Sequence, residues 1–360
     1  MLRGRKLRRV RWRSGRRAPA RAAAPRRPSL WRRLARAVGL GFAGCLLGGY
    51  ALVWAVPPLR QLAAETIITS GHSAAARLVT TPAQYRAMLY AWKHPPTRHV
   101  VTAVAPAPAS SAAASTAPAK PAVQLIPISG STYRGWVFLV RHPSWVHVVV
   151  TPYIGRVGEQ TSTFGATTPG AIAAINGGGF EDAFGDGTGG LPVGVVASFG
   201  HLTDYPNPTG GYVIGLNTSG QLDVGNWTLA QSRALGIRDA VVFQPLLVVQ
   251  GQPQITHGDG GWGIAPRTAL GQRADGTLIF TIIDGRQPSS LGATLLQVQN
   301  LMLAEGAVTA VNLDGGSSTT LWYHGQLVNS PCCSPNGQRY IADAFVVIPP
   351  QGAASTTSAS

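Results

Sequence analysis

Asp314 stands in the run Asn312-Leu313-Asp314-Gly315-Gly316-Ser317-Ser318-Thr319-Thr320, behind an apolar stretch from Ala307 to Val311. A strand that ends in glycines lets a ligand approach the backbone closely. An acid held there among hydroxyl donors can be tuned for proton transfer. The plain alternative is a hairpin turn with an Asx cap. Three further strand ends carry related chemistry. Asn176 opens the loop Gly177-Gly178-Gly179-Phe180-Glu181-Asp182, whose successive amides can form an anion-binding nest or simply a flexible turn. Arg267, in Pro266-Arg267-Thr268, enters an apolar strand and needs an anion there, either a protein carboxylate or a substrate phosphate. Asp284-Gly285-Arg286 follows the apolar run Leu278 to Ile283. Brought to one sheet edge, these ends would supply carboxylates for proton transfer, arginines for a phosphate and a glycine cradle. That set suits a sugar phosphate.

Other chemistries fit less well. Ser317 or Ser318 as a nucleophile would need a positioned base, and no Gly-x-Ser-x-Gly elbow occurs. His201, His257 and His324 are scattered. Asp314, Asp284 and backbone oxygens could hold a divalent cation, calcium or magnesium, although no calcium-loop spacing appears. No cofactor is otherwise called for, and the metal question stays open.

The elements that must position these groups lie between about Val123 and Pro349. Trp136 to Val140, Val146 to Val150, Ala171 to Ile175, Val193 to Ala197, Tyr212 to Leu216 and Val241 to Val249 read as strands. Asp275-Gly276 marks a hairpin between Thr268 to Gln272 and Thr277 to Ile283. Leu291, Leu295, Val298 and Met302 recur at helical spacing, and Gly306 fits the stop. Many strands with few helices and no regular alternation predict an α+β fold with strand-rich mixed or antiparallel sheets.

Charge divides the rest of the chain. The sequence has 30 basic and 14 acidic residues, net +16. Residues 1–36 hold fifteen of the basic residues and no acid, which leaves fifteen against fourteen elsewhere, or +1. A basic tail can bind nucleic acid, but an uncharged stretch follows it directly. The twenty residues 37–56 would rise about 30 Å as a helix, enough to cross a bilayer core. The positive-inside rule then predicts a single-pass, uncleaved anchor with a cytoplasmic basic tail (1–36) and the remainder extracytoplasmic, and no role in nucleic-acid binding. A cleaved signal peptide is the competing reading. Residues 57–122 read as a stalk with helical stretches, Pro82 starting a second helix through Trp92, followed by an Ala/Pro/Ser linker. Residues 350–360 read as a disordered tail. Adjacent Cys332 and Cys333 could form a vicinal disulfide outside the cytoplasm.

In order, Asn176-Gly-Gly-Gly-Phe180, Pro192-x-Gly194, Pro266-Arg267-Thr268-Ala269-x-Gly271, Asp284-Gly285-Arg286 and Asn312-Leu-Asp-Gly-Gly-Ser-Ser-Thr319 resemble the phosphodiester glycosidase family. The Arg339 segment running into Ala342-Asp343-Ala344-Phe345 resembles its closing strand. The likeness covers about residues 125–349. Gln338 stands before Arg339 where an acid is common, and the Glu181-Asp182 loop is unusually rich in glycine. Glu65-Thr66-Ile67-Ile68-Thr69 resembles the membrane-proximal part of bacterial members associated with exopolysaccharide biosynthesis.

The resemblance implies an α-N-acetylglucosaminidase-like hydrolase that splits a sugar C1–O–phosphate bond, here in cell-envelope or exopolysaccharide metabolism. It implies Asp314 as the main catalytic carboxylate with Asp284 or Glu181 as the second. Arg267 and Arg286 would hold phosphate. Asn176, Gly178, Asn312, Gly315, Gly316, Ser317, Ser318 and Arg339 would line the substrate. A non-catalytic glycan-binding module and a glycan-phosphate transferase are the alternative classes.

Overall fold

The computed structural model describes residues 30–70, 72–93, 121–182, 187–208, 210–335, 337–352 and 357–359. Most of the basic tail and of the linker therefore lies outside the described residues. The chain divides into two units between Leu52 and Val53.

The described residues of the first unit form one helix. Leu30–Ala55 is helical, and its Val38–Ala55 portion, at a mean hydropathy of 1.7, is long and apolar enough to cross a membrane. Its apolar side chains, Leu40 and Leu47 among them, are exposed. The helix ends before Pro57, which with Pro58 starts the next helix, as expected of prolines in a first helical turn.

The second unit holds three sheets, each antiparallel apart from one short parallel edge. Alternation sets the layers. In strand Arg134–Val140, Phe138 and Val140 enter one core while Val137 and Leu139 enter another. In strand Leu278–Ile283, Leu278, Phe280 and Ile282 likewise oppose Ile279 and Ile283. Successive side chains of a strand point to opposite faces, so this sheet is buried on both sides. One face meets Val146, Ile175 and Phe345 of the second sheet and Ile214 and Val241 of the third. The other face is covered by helix Leu295–Ala304 through Leu295, Val298 and Met302. The α+β reading with strand-rich sheets and few helices is what the molecule has.

Three boundaries differ from the sequence expectation. The apolar run 241–249 splits into strands Ile237–Phe243 and Leu246–Val249, because Pro245 has no N–H for a ladder. The helix expected from Leu291 begins after Thr294, because Gly292 sits at φ +115° and Thr294 with Gln297 forms a capping box. The segment expected as a stalk packs on the domain. Thr69 Oγ1 donates to the Trp262 carbonyl (3.1 Å), the Ile264 amide donates to Thr66 Oγ1 (3.1 Å), and the rings of Trp92 and Trp262 lie 6.4 Å apart. The tail contributes Thr357–Ala359, paired parallel with Val123–Ser129. Cys332 and Cys333 are joined by a disulfide.

Candidate active site

Strand ends from all three sheets converge on one cavity of about 410 Å³. Strand Ala307–Asn312 runs antiparallel to Arg267–Arg273, with Asn312 beside Ala269, so the turn carrying Asp314 emerges next to Arg267. In the second sheet, Asn176 ends strand Ala173–Asn176 opposite Ala344, beside Asp343. In the third sheet, Val242 accepts the Gly179 amide (2.8 Å).

Asn176 clamps this junction. Its Nδ2 donates to the Asp314 carbonyl (2.6 Å), and its Oδ1 accepts from Thr268 Oγ1 (2.8 Å) and the Thr320 amide (3.0 Å). Asn176 is fully buried with both ends of its amide engaged, so it positions Asp314 instead of lining the substrate. Asn176→Ala would leave three buried partners unpaired. Each such loss costs about 1–3 kcal/mol, so chemical denaturation should show the variant destabilised by roughly 3 kcal/mol or more.

The glycine loop is not an anion nest. The Gly177 amide donates to the Asp343 carbonyl (3.2 Å), the Gly178 amide to Asp343 Oδ1 (2.7 Å) and the Gly179 amide to Val242. Its glycines serve close packing: a Cβ on Gly178 would lie 2.7 Å from Val241 Cβ. Asn312 is also buried away from the cavity, with Nδ2 donating to the Gln244 carbonyl (2.9 Å).

Asp314 lines the cavity, and its Oδ1 accepts the Gly315 amide (2.9 Å), whereas the Gly316 amide that an Asx turn would use donates to the Pro266 carbonyl (2.9 Å). Burial pushes its carboxyl up to about 6, against the pull of the Ser318 hydroxyl and the Arg339 charge. Gly315, Gly316, Ser317 and Ser318 form the turn beneath it, and Gly316 adopts φ +60°. Arg339 Nη2 pairs with Asp182 Oδ1 (2.6 Å), Nη1 reaches Ser317 Oγ (3.3 Å), and the guanidinium lies 5.0 Å from the Phe180 ring centre. Glu181 lines the same cavity from an exposed position.

Arg267 and Arg286 line it from the other side. Arg267 is 3 % exposed and donates only to carbonyls: Ala293 (3.1 Å), Trp262 (2.8 Å) and Gly263 (2.8 Å). Burial, with the neighbouring Arg286 charge, pushes its guanidinium down to about 9, so it remains charged at neutral pH. Burial also lowers Arg286, which faces Asp314. Among the described residues neither arginine has a carboxylate within ion-pair distance. A buried and a half-buried cation with no carboxylate at ion-pair distance are costly, and the cavity they line favours an anion.

Asp284 is not brought to this cavity. Its Oδ1 accepts from Asn329 Nδ2 (2.9 Å) and the Ser330 amide (3.0 Å), and it lines a separate, open groove with Arg134 and Trp136. The reason is local. Gly285 packs against Pro266, and Arg286 turns to φ +57°, a conformation rare outside glycine, so the acid and the arginine diverge.

Sequence reasoning passed over Asp343. It is 1 % exposed at the start of the apolar strand Asp343–Val347, and its Oδ2 has no hydrogen-bond partner among the described residues. Burial, with the Asp314 charge adding to it, pushes its carboxyl up to about 7. An acid opening a strand of apolar residues was the signal available. Because the folded state favours the neutral form, this residue's contribution is fully present below the ordinary carboxylate pKa of 3.8 and is lost progressively as pH rises from there through about 7. Asp343→Asn keeps an acceptor for the Gly178 amide and cannot ionise. The variant's stability relative to the unsubstituted protein should therefore rise between pH 5 and pH 8.5, by about 2.5 kcal/mol, read from urea midpoints at the two pH values. The residues contributed by the N-terminal helices, Thr69, Ser70 and Trp92, were also missed, because nothing local reveals that this segment folds back. Among the described residues no three His, Cys, Asp or Glu side chains gather as a metal cluster.

A model of the phosphodiester glycosidase family matches residues 169–348, half of the chain. An uncharacterized SPbeta prophage-derived protein of Bacillus subtilis (strain 168), YomE, is 38 % identical over 82 residues, 23 % of this chain and 12 % of that protein. N-acetylglucosamine-1-phosphodiester alpha-N-acetylglucosaminidase of Bos taurus is 37 % identical over 68 residues, 19 % of this chain and 13 % of that protein. The matched stretch thus spans about an eighth of these relatives. Among solved structures, the zebrafish N-acetylglucosamine-1-phosphodiester alpha-N-acetylglucosaminidase catalytic domain, auto-inhibited by its pro-peptide, superposes with a TM-score of 0.53 at 22 % identity, covering 66 % of this chain and 85 % of that one. At that identity the likeness speaks for the fold.

Proposed function

Because the chain belongs to the phosphodiester glycosidase family, we propose that it hydrolyses a glycosyl 1-phosphodiester at the sugar C1–O bond. The observation that carries this reading is the meeting, in one cavity, of Asp314, whose carboxyl is pushed up to about 6, with buried Arg267 and half-buried Arg286, neither of which has a carboxylate within ion-pair distance among the described residues. Arg267 and Arg286 take the phosphate. Asp314 takes a proton from water as the water oxygen bonds to C1, or itself bonds to C1 first. The C1–O bond breaks and its electron pair leaves with the phosphomonoester. A phosphate is already a good leaving group, so little acid assistance is required. Glu181 is the proposed second carboxylate; Asp182, which also lines the cavity, is paired with Arg339, and Asp284 serves the structure of the 329–330 turn.

The helix Val38–Ala55 acts as an anchor in the cell membrane with the basic tail on the cytoplasmic side. The disulfide Cys332–Cys333 agrees with an extracytoplasmic domain, and the setting that goes with this reading is cell-envelope or exopolysaccharide metabolism. The test follows free N-acetylglucosamine released from UDP-N-acetylglucosamine by the full chain, with and without a chelator. Release independent of chelator supports a metal-free hydrolase, and loss on chelation adds a divalent cation. Sugar appearing only when an acceptor alcohol is supplied, as its glycoside, would replace the reading with a transferase.

A further inference from the structure

Two unlike sets of side chains line the cavity. Beside Asp314 lie Arg339, Asp182 and Ser317, a polar and hydrogen-bonded set. Asp314 also neighbours Arg286, Arg286 neighbours Arg267, and the Arg267 guanidinium lies 5.9 Å from the Trp262 ring centre. Trp262 in turn packs against Trp92 (6.4 Å) and edge-on against Phe243 (6.0 Å). The order of neighbours is therefore polar set, carboxylate, phosphate arginines, aromatic wall. If the carboxylate acts at C1 and the arginines hold the phosphate, the sugar meets the polar set and the group beyond the phosphate meets the aromatic wall.

Resting on the glycosidase reading, the geometry points to an aglycone that is a hydrocarbon chain, bound against Trp92, Trp262 and Phe243. Three aromatic side chains, one of them against the Arg267 guanidinium, offer apolar area next to the phosphate site. Trp92 comes from outside the stretch matched by the family model, at the end of helix Pro82–Lys93, in the segment that follows the candidate membrane span. Thr66 and Thr69 tie that segment to the loop 262–264, whose Trp262 and Gly263 carbonyls also hold Arg267. The wall and the phosphate site are thus one built unit, and a substrate with a lipid-like tail suits a wall supplied by the membrane-proximal helices.

The full chain in single-lipid nanodiscs would be given α-N-acetylglucosamine 1-phosphate esterified with methyl, butyl or hexyl alcohol. The bond broken and the leaving-group acidity stay nearly constant across this series. Burying methylenes on the wall should raise kcat/KM by about tenfold or more from methyl to hexyl, and Trp92→Ala should compress that ratio to within about threefold. Trp92→Phe, which keeps an aromatic ring, should retain an intermediate ratio. Calorimetry with methyl and hexyl phosphate should show the same order in binding, without requiring turnover. A flat series in rate and binding, with the methyl ester still hydrolysed, overturns the hydrocarbon aglycone and leaves the glycosidase reading standing. UDP-N-acetylglucosamine outrunning the hexyl ester by tenfold overturns it in favour of a nucleotide. No turnover of any ester overturns the glycosidase reading, and equal binding of the two phosphates then removes the wall's proposed role as well.

Discussion

Asp314→Asn should lower kcat by about a thousandfold or more while the protein stays folded. Loss of a positioned base alone costs on the order of 10²–10⁴, and loss of a nucleophilic carboxylate costs at least as much. The turn should tolerate the change, since an Asn oxygen can still accept the Gly315 amide that Asp314 Oδ1 now accepts. The pH profile gives the sign. Burial sets the carboxyl at about 6. A base or nucleophile must be ionised, so kcat/KM should climb with pH through about 6 and then level. A profile that falls through 6 would make Asp314 an acid. Activity of the variant within tenfold of the unsubstituted protein would remove it from the chemistry altogether.

The second large effect concerns Arg267. Arg267→Lys should reduce kcat/KM by about a hundredfold, chiefly through KM, and should abolish the rise in melting temperature that inorganic phosphate gives the unsubstituted protein. A lysine keeps the charge but loses the planar fork. Arg267 reaches three carbonyls at once while leaving its charge toward the cavity, and an ammonium on a flexible stem cannot reproduce that geometry. Some stability should be lost too, about 1–3 kcal/mol from the carbonyls left unpaired. Phosphate stabilising both proteins equally would mean that the arginine is a structural cation whose counter-charge comes from elsewhere.

Much of the architecture was legible along the chain because its causes are local. Alternating β-branched runs, the Asp275-Gly276 hairpin and the membrane-length apolar stretch are each set by a few neighbouring residues. The ordered motifs likewise pointed to Asp314, Arg267, Arg286 and the turn Gly315 to Ser318, all of which line one cavity. What the local pattern could not carry was direction. Asp284 and Arg286 are two residues apart, and only the left-handed turn at Arg286 sends them to different cavities. The glycine amides of 177–179 looked free in the chain and are satisfied by Asp343 and Val242, which lie 63 or more residues away.

By itself, then, the sequence determined the secondary elements, the basic tail ahead of an apolar helix and the residue types of an acid-and-arginine site, because composition and short-range periodicity decide those. Only the tertiary structure decided which polar groups are spent on the protein and which face the cavity. It made Asn176 a clamp, placed Asp343 behind the glycine loop and closed the cavity with Trp92 from helices that looked like a stalk. Hydrogen-bond satisfaction and burial are sums over neighbours from distant segments, and no local pattern encodes them.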